Sequence, residues 1–116
     1  MNSEELKERT KIFALRVIRM SRQLPKTAEA KVISHQLLRS ATGTAANYRA
    51  ACRARSRGEF IAKIGVVLEE ADESLFWIEL LVEAEVVSGT RIQKLRQEAE
   101  ELTSIFAASR ITAARK

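Results

Sequence analysis

One stretch of this 116-residue sequence, residues 56–85, carries apolar side chains at the spacing of a single long helix. Two apolar series repeat every seven positions along it: Ile61, Leu68, Leu75 and Val82, with Ile64, Ala71 and Ile78 at the complementary positions. A seam of this kind is typical of helices that pack side by side in an antiparallel bundle. The pattern therefore predicts one long helix that other helices cover.

The second half of this helix is apolar beyond the seam. At about 100° per residue, Phe76, Trp77 and Leu80 point well away from the seam residues. A helix that is apolar around most of its circumference has to be covered on more than one side. The stretch therefore predicts association as well as fold, whereas it indicates no reaction.

Three further helices are predicted from apolar periodicity and capping residues. The predicted helices span about residues 3–24, 27–53, 56–85 and 89–111. Ser3 is expected to cap the first helix and Pro25 to stop it, because the residue before a proline avoids the helical region. Thr27 is expected to cap the second helix, and Ser56 with Glu59 forms a capping box for the third.

The fourth helix is expected to begin at Ser88 or Thr90, where Thr90 and Gln93 form a second capping box, and to fray from Ile111. The predicted core face of the first helix is Leu6, Phe13, Val17, Met20 and Leu24. That of the second helix is Ala30, Ile33, Leu37, Ala41, Thr44 and Tyr48. That of the fourth helix is Ile92, Leu95, Ala99, Leu102, Phe106 and Ser109. Four long helices joined by short turns predict an all-α, antiparallel up-down-up-down four-helix bundle. Residues 1–116 are expected to form this single domain.

The middle of the second helix, residues 40–46 (SATGTAA), consists of small residues. In a bundle, such a segment indicates that two backbones approach closely. Gly43 costs about 1 kcal/mol relative to alanine in a helix, so we expect a packing reason for it. A break into two helices at Gly43 is the alternative.

Charge is divided unequally between the two halves of the sequence. Residues 1–58 contain 13 Lys/Arg and 4 Asp/Glu, giving +9, whereas residues 59–116 contain 7 and 11, giving −4. Such asymmetry indicates pairing between the halves, a basic surface for a polyanion, or both. If the second and third helices fold back on each other as an antiparallel hairpin, we expect Arg39 to lie beside Asp72 and Glu73. In the next hairpin, we expect Arg96 to lie beside Glu79.

Residues that commonly carry catalysis or bind metals are scarce in the sequence. The single histidine, His35, has Val32 three residues before it, unlike the Glu-x-x-His motif of metal-binding bundles. Cys52 is expected to pack as a small residue, and the acidic run 69–73 to be a solvated or salt-bridged helix face. No glycine-rich loop follows a strand. We therefore predict a non-enzyme that uses no metal or other cofactor.

The N-terminal segment, MNSEELKERTK, is charged and polar, and no apolar run is long enough to span a bilayer. The single cysteine allows no internal disulfide, which fits a reducing compartment. We therefore expect a cytoplasmic protein that has no membrane partner.

Basic residues are the main functional feature of the sequence. The candidates for nucleic-acid binding are Lys11, Arg16, Arg19 and Arg22 on the first helix, and Arg49, Arg53, Arg55 and Arg57 around the turn between the second and third helices. Guanidinium groups suit phosphates, and a basic stripe is the usual footprint of a nucleic-acid-binding protein. The alternative is that these side chains keep the bundle soluble and pair with the acidic half.

Several segments of the sequence resemble one known family. The most specific are LLRS (37–40), ANYR (46–49), residues 56–60 and residues 69–77, within a similarity that covers about residues 13–106. On these segments the chain resembles the four-helix-bundle protein family encoded in intervening sequences of bacterial 23S ribosomal RNA genes. That family is also similar to the accessory proteins of diversity-generating retroelements, which assist a reverse transcriptase.

The resemblance implies a small basic bundle that assembles as a ring-shaped homopentamer and is expected to bind RNA or DNA. It carries over no catalytic residues. The surplus apolar face of the third helix fits such an assembly. The expected subunit-interface residues are Phe76, Trp77 and Leu80, with Leu15 and Ile18 of the first helix. For Trp77, the alternative is burial within its own bundle.

Two functions from different classes are compatible with the sequence. The first is a non-catalytic, basic oligomer that binds RNA or DNA through phosphate contacts, with an affinity that falls steeply with salt. The second is a protein-interaction adaptor whose basic face docks an acidic partner, such as a reverse transcriptase. The sequence does not identify the nucleic acid, the protein partner or the subunit number.

Overall fold

The computed structural model describes residues 1–115, and all regular structure within them is helical. The helices are α1 (Ser3–Ser21), α2 (Ala28–Cys52), α3 (Arg57–Glu83) and α4 (Thr90–Arg115). They form an elongated body of 46 × 20 × 20 Å in which each helix packs on the next one in the chain. The predicted all-α class with four helices is confirmed.

Contacts between α2 and α3 show that these two helices are antiparallel. Arg39 of α2 contacts Glu73 of α3, while Gly43, one turn later in α2, lies beside Glu70, about one turn earlier in α3. This is the arrangement that an up-down bundle requires. α1 packs on α2 and on α4, and its packing on α4 is the least extensive of all the neighbouring pairs.

The two ends of α1 differ from the predicted ones. Asn2, rather than Ser3, is the cap: its side-chain oxygen accepts from the Glu5 backbone N–H (2.9 Å), and Ser3 is already helical. α1 ends at Ser21 instead of about residue 24, because Pro25 has no N–H to bond the Ser21 carbonyl oxygen and also disfavours the helical region for Leu24. Leu24 nevertheless stays buried, at 7% exposure.

The caps predicted for α2 and α3 are confirmed. Thr27 accepts a hydrogen bond from the backbone N–H of Ala30 (3.3 Å), and Ser56 accepts one from that of Glu59 (3.0 Å). Each bond satisfies a backbone donor that has no partner within its own helix. The sequence therefore determines where these two helices begin.

The capping box predicted for α4 is wrong. Thr90 is the first helical residue, and the Gln93 N–H bonds to the carbonyl oxygen of Gly89 (3.4 Å). Gly89 has a φ of 102°, which glycine adopts without a steric penalty. α4 stays helical to Arg115, beyond its predicted end at about residue 111. Lys116, the last residue of the segment expected to fray, lies outside the described residues. The Arg57 guanidinium stabilises the end of α4 by donating to the carbonyl oxygens of residues 113 (2.9 Å) and 114 (3.1 Å).

The small residues of α2 serve close packing against α3. α2 is continuous from Ala28 to Cys52, so the alternative of a break within it is wrong. Ser40 and Thr44 are fully buried. A side chain at Gly43 would occupy the space that the Glu70 carboxylate of α3 takes up. The packing reason expected for this glycine is therefore the room it leaves for a carboxylate.

The predicted core faces of α1, α2 and α4 are confirmed, since every member is buried except Met20 and Ser109, which are half-buried. The core face of α3 is only partly as predicted. Ile64, Ala71 and Ile78 are buried, but the second buried series is Val67, Ser74 and Leu81, and the predicted Ile61, Leu68, Leu75 and Val82 are half-buried. The Ser74 hydroxyl hydrogen-bonds with that of Ser40 (2.9 Å), which lets a polar residue lie in the core.

Arg39 links α2 to α3 through two carboxylates. Its Nη2 lies 2.5 Å from Glu73 Oε1, as predicted, and its Nη1 lies 3.6 Å from Glu70 Oε1. Asp72 is exposed and forms no salt bridge within residues 1–115, so the expected Arg39–Asp72 pair is wrong. The reason is helical geometry, because Glu70 and Glu73, three residues apart, share a face that Asp72 does not.

Two ion-pair groups join α4 to its neighbours. Arg96 Nη2 lies 3.5 Å from Glu79 Oε2, which confirms the expected pair between α3 and α4. An unpredicted group links α1 to α4, with Arg9 Nη2 at 2.7 Å from both Glu98 Oε1 and Glu101 Oε1. The hydrogen bond with Glu98 is the main cause that raises the pKa of Arg9. The two halves of the sequence therefore do pair, at Arg9 and Arg39.

Candidate functional site

The eight basic residues predicted to bind nucleic acid fall into two groups in the structure. The α1 group is Lys11, Arg16, Arg19 and Arg22, and the turn group is Arg49, Arg53, Arg55 and Arg57. Because the chain turns back from α1 into α2, the turn group lies near the start of α1, whereas Arg16 to Arg22 lie toward its end. The bundle is 46 Å long, so the groups occupy separate regions of one chain.

Most of these cations are not neutralised within the chain. Arg55 lies 3.8 Å from Glu59, and Arg57 bonds the end of α4. Within residues 1–115, the other six form no salt bridge: Lys11, Arg16, Arg19, Arg22, Arg49 and Arg53. Among the described residues, pairing with the acidic half therefore does not account for these six charges.

The structure adds basic residues of α4 to the end of the bundle that carries the turn group. The contacts of Arg57 place the end of α4 beside the start of α3. Arg110 also faces α3, because its Nε lies 3.7 Å from where a Cβ on Gly65 would be. Arg115 belongs to the last turn of the same helix. The sequence prediction missed both residues, although folding the last two helices into an antiparallel hairpin would have placed them there.

A cavity of about 440 Å³, here called the α1–α4 cavity, opens where α1 ends and α4 begins. Four cations line it: Arg16, Arg19, Arg91 and Lys94. Its aliphatic lining is Met20, Leu24, Val86, Val87, Ile92 and Leu95. Among the described residues, no aspartate or glutamate lines it. The sequence prediction contained two of its cations but missed the two contributed by α4.

The residues predicted to form subunit contacts lie on two helices that do not touch. α1 and α3 are diagonal in the bundle. Phe76 of α3 and Leu15 of α1 are exposed, at 51% and 38%, whereas Ile18, Trp77 and Leu80 are half-buried. The five residues therefore belong to two outward faces rather than to one surface.

Trp77 is half-buried against its own core and packs edge-on against Phe76, with 5.0 Å between the ring centroids. Its indole N–H is buried without an acceptor within residues 1–115. The alternative of burial in its own bundle thus holds for part of this side chain. Phe76 is the residue that leaves most apolar surface uncovered on this face.

The two outward faces carry opposite charges. On α3, Phe76 is flanked at helical spacing by Glu69, Asp72 and Glu83, which form no salt bridge within residues 1–115. On α1, Leu15 is flanked at helical spacing by Lys11, Arg19 and Arg22, and Ile12 adds a second exposed apolar side chain at 45%. An acidic apolar face and a basic apolar face on different sides of one bundle are complementary to each other.

The side chains that commonly bind metals lie apart among the described residues. Within residues 1–115, no three His, Cys, Asp or Glu side chains are placed to share a metal ion. His35 is exposed, and Cys52 is half-buried beside Tyr48. Burial raises the pKa of Tyr48, and the neighbouring Cys52 adds to this shift. Within the same residues, no helix has both the length and the apolar character needed to cross a membrane.

Comparisons with known proteins identify relatives of the whole bundle. Residues 4–108 match the family described as 23S rRNA-intervening sequence protein. A crystal structure of a protein of unknown function from the S23 ribosomal protein family of Bacteroides thetaiotaomicron is 31% identical, with a TM-score of 0.82. The match covers 90% of this chain and 96% of that one. No curated protein sequence matches the chain significantly.

Proposed function

The chain belongs to the 23S rRNA-intervening sequence protein family, and we propose that it is a non-catalytic protein that binds RNA or DNA through phosphate contacts. Family membership does not itself assign this activity. The proposal rests on one observation: Arg49 and Arg53 of the turn group are exposed and have no carboxylate partner within residues 1–115. Unpaired exposed cations attract the phosphate backbone without regard to sequence.

The turn group is the part of the surface best suited to this activity. Arg49, Arg53 and Arg55 are exposed side by side at one end of the bundle, and Arg115 lies at the same end. Each guanidinium can donate two parallel hydrogen bonds to one phosphate. Such phosphate contacts position a nucleic acid without reading its bases.

The test is fluorescence anisotropy with labelled single-stranded RNA and duplex DNA of mixed sequence, over a range of salt concentrations. The Arg49→Glu/Arg53→Glu variant is expected to bind all sequences more weakly. Its slope of log affinity against log salt should fall by about 0.7–0.9 for each phosphate that the variant no longer neutralises. Lys26→Glu/Lys31→Glu, which changes the net charge equally at exposed sites, is the matched control and should weaken binding less.

Binding that does not depend on salt, or an equal loss of affinity in the control variant, would contradict the proposal. Absence of binding to both nucleic acids at low salt would also do so. Circular dichroism of each variant would separate a loss of binding from a loss of fold.

We further propose that the protein is a homo-oligomer, and that it forms the pentameric ring its family resemblance implies. The basic α1 face of one copy would pack on the acidic α3 face of the next. Contacts between two different faces are heterologous, and they generate a ring when the rotation closes. What supports this is the position of the two complementary faces on diagonal helices, together with the exposure of Phe76 (51%) and Leu15 (38%).

The oligomer is tested by light scattering on single variants. Phe76→Asp and Leu15→Asp should each lower the native mass toward that of one chain, because each places a charge at the centre of one face. Val32→Asp is the matched control, since Val32 is 61% exposed on α2, outside both faces. If both face variants kept the parent mass, or if the parent were a single chain, the assembly would be wrong.

A protein-interaction adaptor is the second candidate function. It is favoured by the apolar residues among the cations of α1, Ile12 (45% exposed) and Leu15 (38%), because a phosphate backbone needs no apolar contact. The resemblance to retroelement accessory proteins would make a reverse transcriptase the partner. Co-purification of one acidic protein that survives nuclease treatment and is abolished in Leu15→Asp would favour the adaptor over nucleic-acid binding.

A further inference from the structure

We propose that the α1–α4 cavity binds a small anionic amphiphile: an unbranched aliphatic chain that ends in a carboxylate or a phosphate. The cavity, of about 440 Å³, lies at the end of α1, away from the turn group on which nucleic-acid binding is proposed to depend. Pockets for small molecules have volumes of about 300–1,000 Å³ and often lie between the helices of bundles. The size of the cavity thus suits a small molecule.

The floor of the cavity selects an aliphatic group. Ile92 and Leu95 are 1% and 3% exposed, and Leu24 is 7% exposed, so the floor is continuous with the core of the bundle. No aromatic side chain lines the cavity among the described residues. A nucleobase would therefore lack the stacking partner that single-strand binders provide. An alkyl chain needs only apolar contact, which this floor supplies.

The rim of the cavity selects a negative charge. Arg16 and Arg19 come from α1, and Arg91 and Lys94 come from α4, so that cations stand on both sides of the opening. None of the four forms a salt bridge within residues 1–115. Arg91 donates a hydrogen bond from Nη1 to Gln23 Oε1 on the opposite side of the cavity (3.5 Å). An anionic head group would gain charge-assisted hydrogen bonds at this rim.

Isothermal titration calorimetry with four probes tests the assignment on the whole chain. Decanoate and decyl phosphate, below their micellar concentrations, should bind saturably with one molecule per chain. Decanol lacks the charge and acetate lacks the chain, so both should bind at least tenfold more weakly. The two anionic probes distinguish a carboxylate ligand from a phosphate ligand, while membrane lipid is tested separately with vesicles that contain phosphatidylglycerol.

Variants assign the binding to the cavity. Arg91→Glu/Lys94→Glu should weaken decanoate binding at least tenfold, and Met20→Gln should weaken it through the floor. Arg49→Glu/Arg53→Glu should keep decanoate binding while its nucleic-acid binding weakens, so the two proposals fail independently. Amide shift changes in an NMR titration should concentrate at the residues that line the cavity.

Decanol binding as tight as decanoate, or shift changes elsewhere in the bundle, would overturn the proposal. So would the absence of saturable binding by both anionic probes, or tighter retention on vesicles than binding of free decanoate. An equal loss of decanoate binding in the turn variant would assign the effect to net charge and would likewise overturn it.

Discussion

At Gly43, the Glu70 carboxylate of α3 lies against the backbone of α2, in the space that a side chain would need. This contact determines how an alanine at position 43 would affect stability. Gly65 lies in a helix with only ordinary contacts, so Gly65→Ala should stabilise the protein by about 0.5–1 kcal/mol. Gly43→Ala should stabilise it less or destabilise it, because Glu70 would have to move. In a Glu70→Ala background, the full stabilisation should return. Urea unfolding of these variants measures the coupling, and equal effects at both glycines would contradict it.

Glu70 also gives a pH dependence whose sign follows from its burial. Burial raises the pKa of Glu70, while Arg39 lowers it by less. The folded state therefore favours the protonated carboxyl group, and this contribution to stability is lost as the pH rises through the folded pKa. Glu70→Gln should be more stable than the parent at pH 7, and the difference should vanish below about pH 4. Urea unfolding at both pH values checks this, with the exposed Glu69→Gln as the control; a difference that persists at low pH would contradict it.

At the scale of the helix, the residue that follows the end of α3 has a strained backbone conformation that a glycine would relieve. Glu85 has a φ of 57°, in the left-handed region, and the Val86 N–H bonds to the Leu81 carbonyl oxygen (3.0 Å), as in a Schellman motif. Glu85→Gly should stabilise the protein by about 1 kcal/mol, because glycine adopts this conformation without a clash. Glu69→Gly, at an exposed position inside the helix, should instead cost about 1 kcal/mol. Thermal unfolding distinguishes the two signs, and destabilisation in both variants would contradict the strain.

The helices themselves could be predicted from periodicity, but their rotation could be predicted only in part. Apolar spacing placed the core faces of α1, α2 and α4, because apolar residues mark those faces consistently. On α3 the heptad of Leu68 and Leu75 was misleading, since the buried line contains Ser74. A serine becomes a core residue only when a partner such as Ser40 faces it, and that partner is fixed by tertiary packing.

At the scale of the whole molecule, the candidate sites could likewise be predicted only where they do not depend on tertiary packing. The turn group could be located from the sequence because its residues are close in the chain. The α1–α4 cavity could not, since it depends on α1 ending at Ser21 and on the loop before Thr90 bringing Arg91 and Lys94 opposite α1. Complementary outward faces likewise became apparent only when α1 and α3 were found to be diagonal.

We expect Arg9 to hold α1 against α4, because these two helices pack least extensively and Arg9 bonds Glu98 and Glu101 across the seam at 2.7 Å. The pair is partly buried, so Arg9→Ala should lower the free energy of unfolding by about 1–2 kcal/mol. Amide hydrogens of α1 should then exchange faster than those of α2 and α3, since α1 would open first. Arg96→Ala, which removes a more exposed and longer ion pair, should cost less than about 1 kcal/mol. Equal destabilisation in the two variants, or exchange that rises uniformly across the bundle, would show that Arg9 does not hold α1 in place.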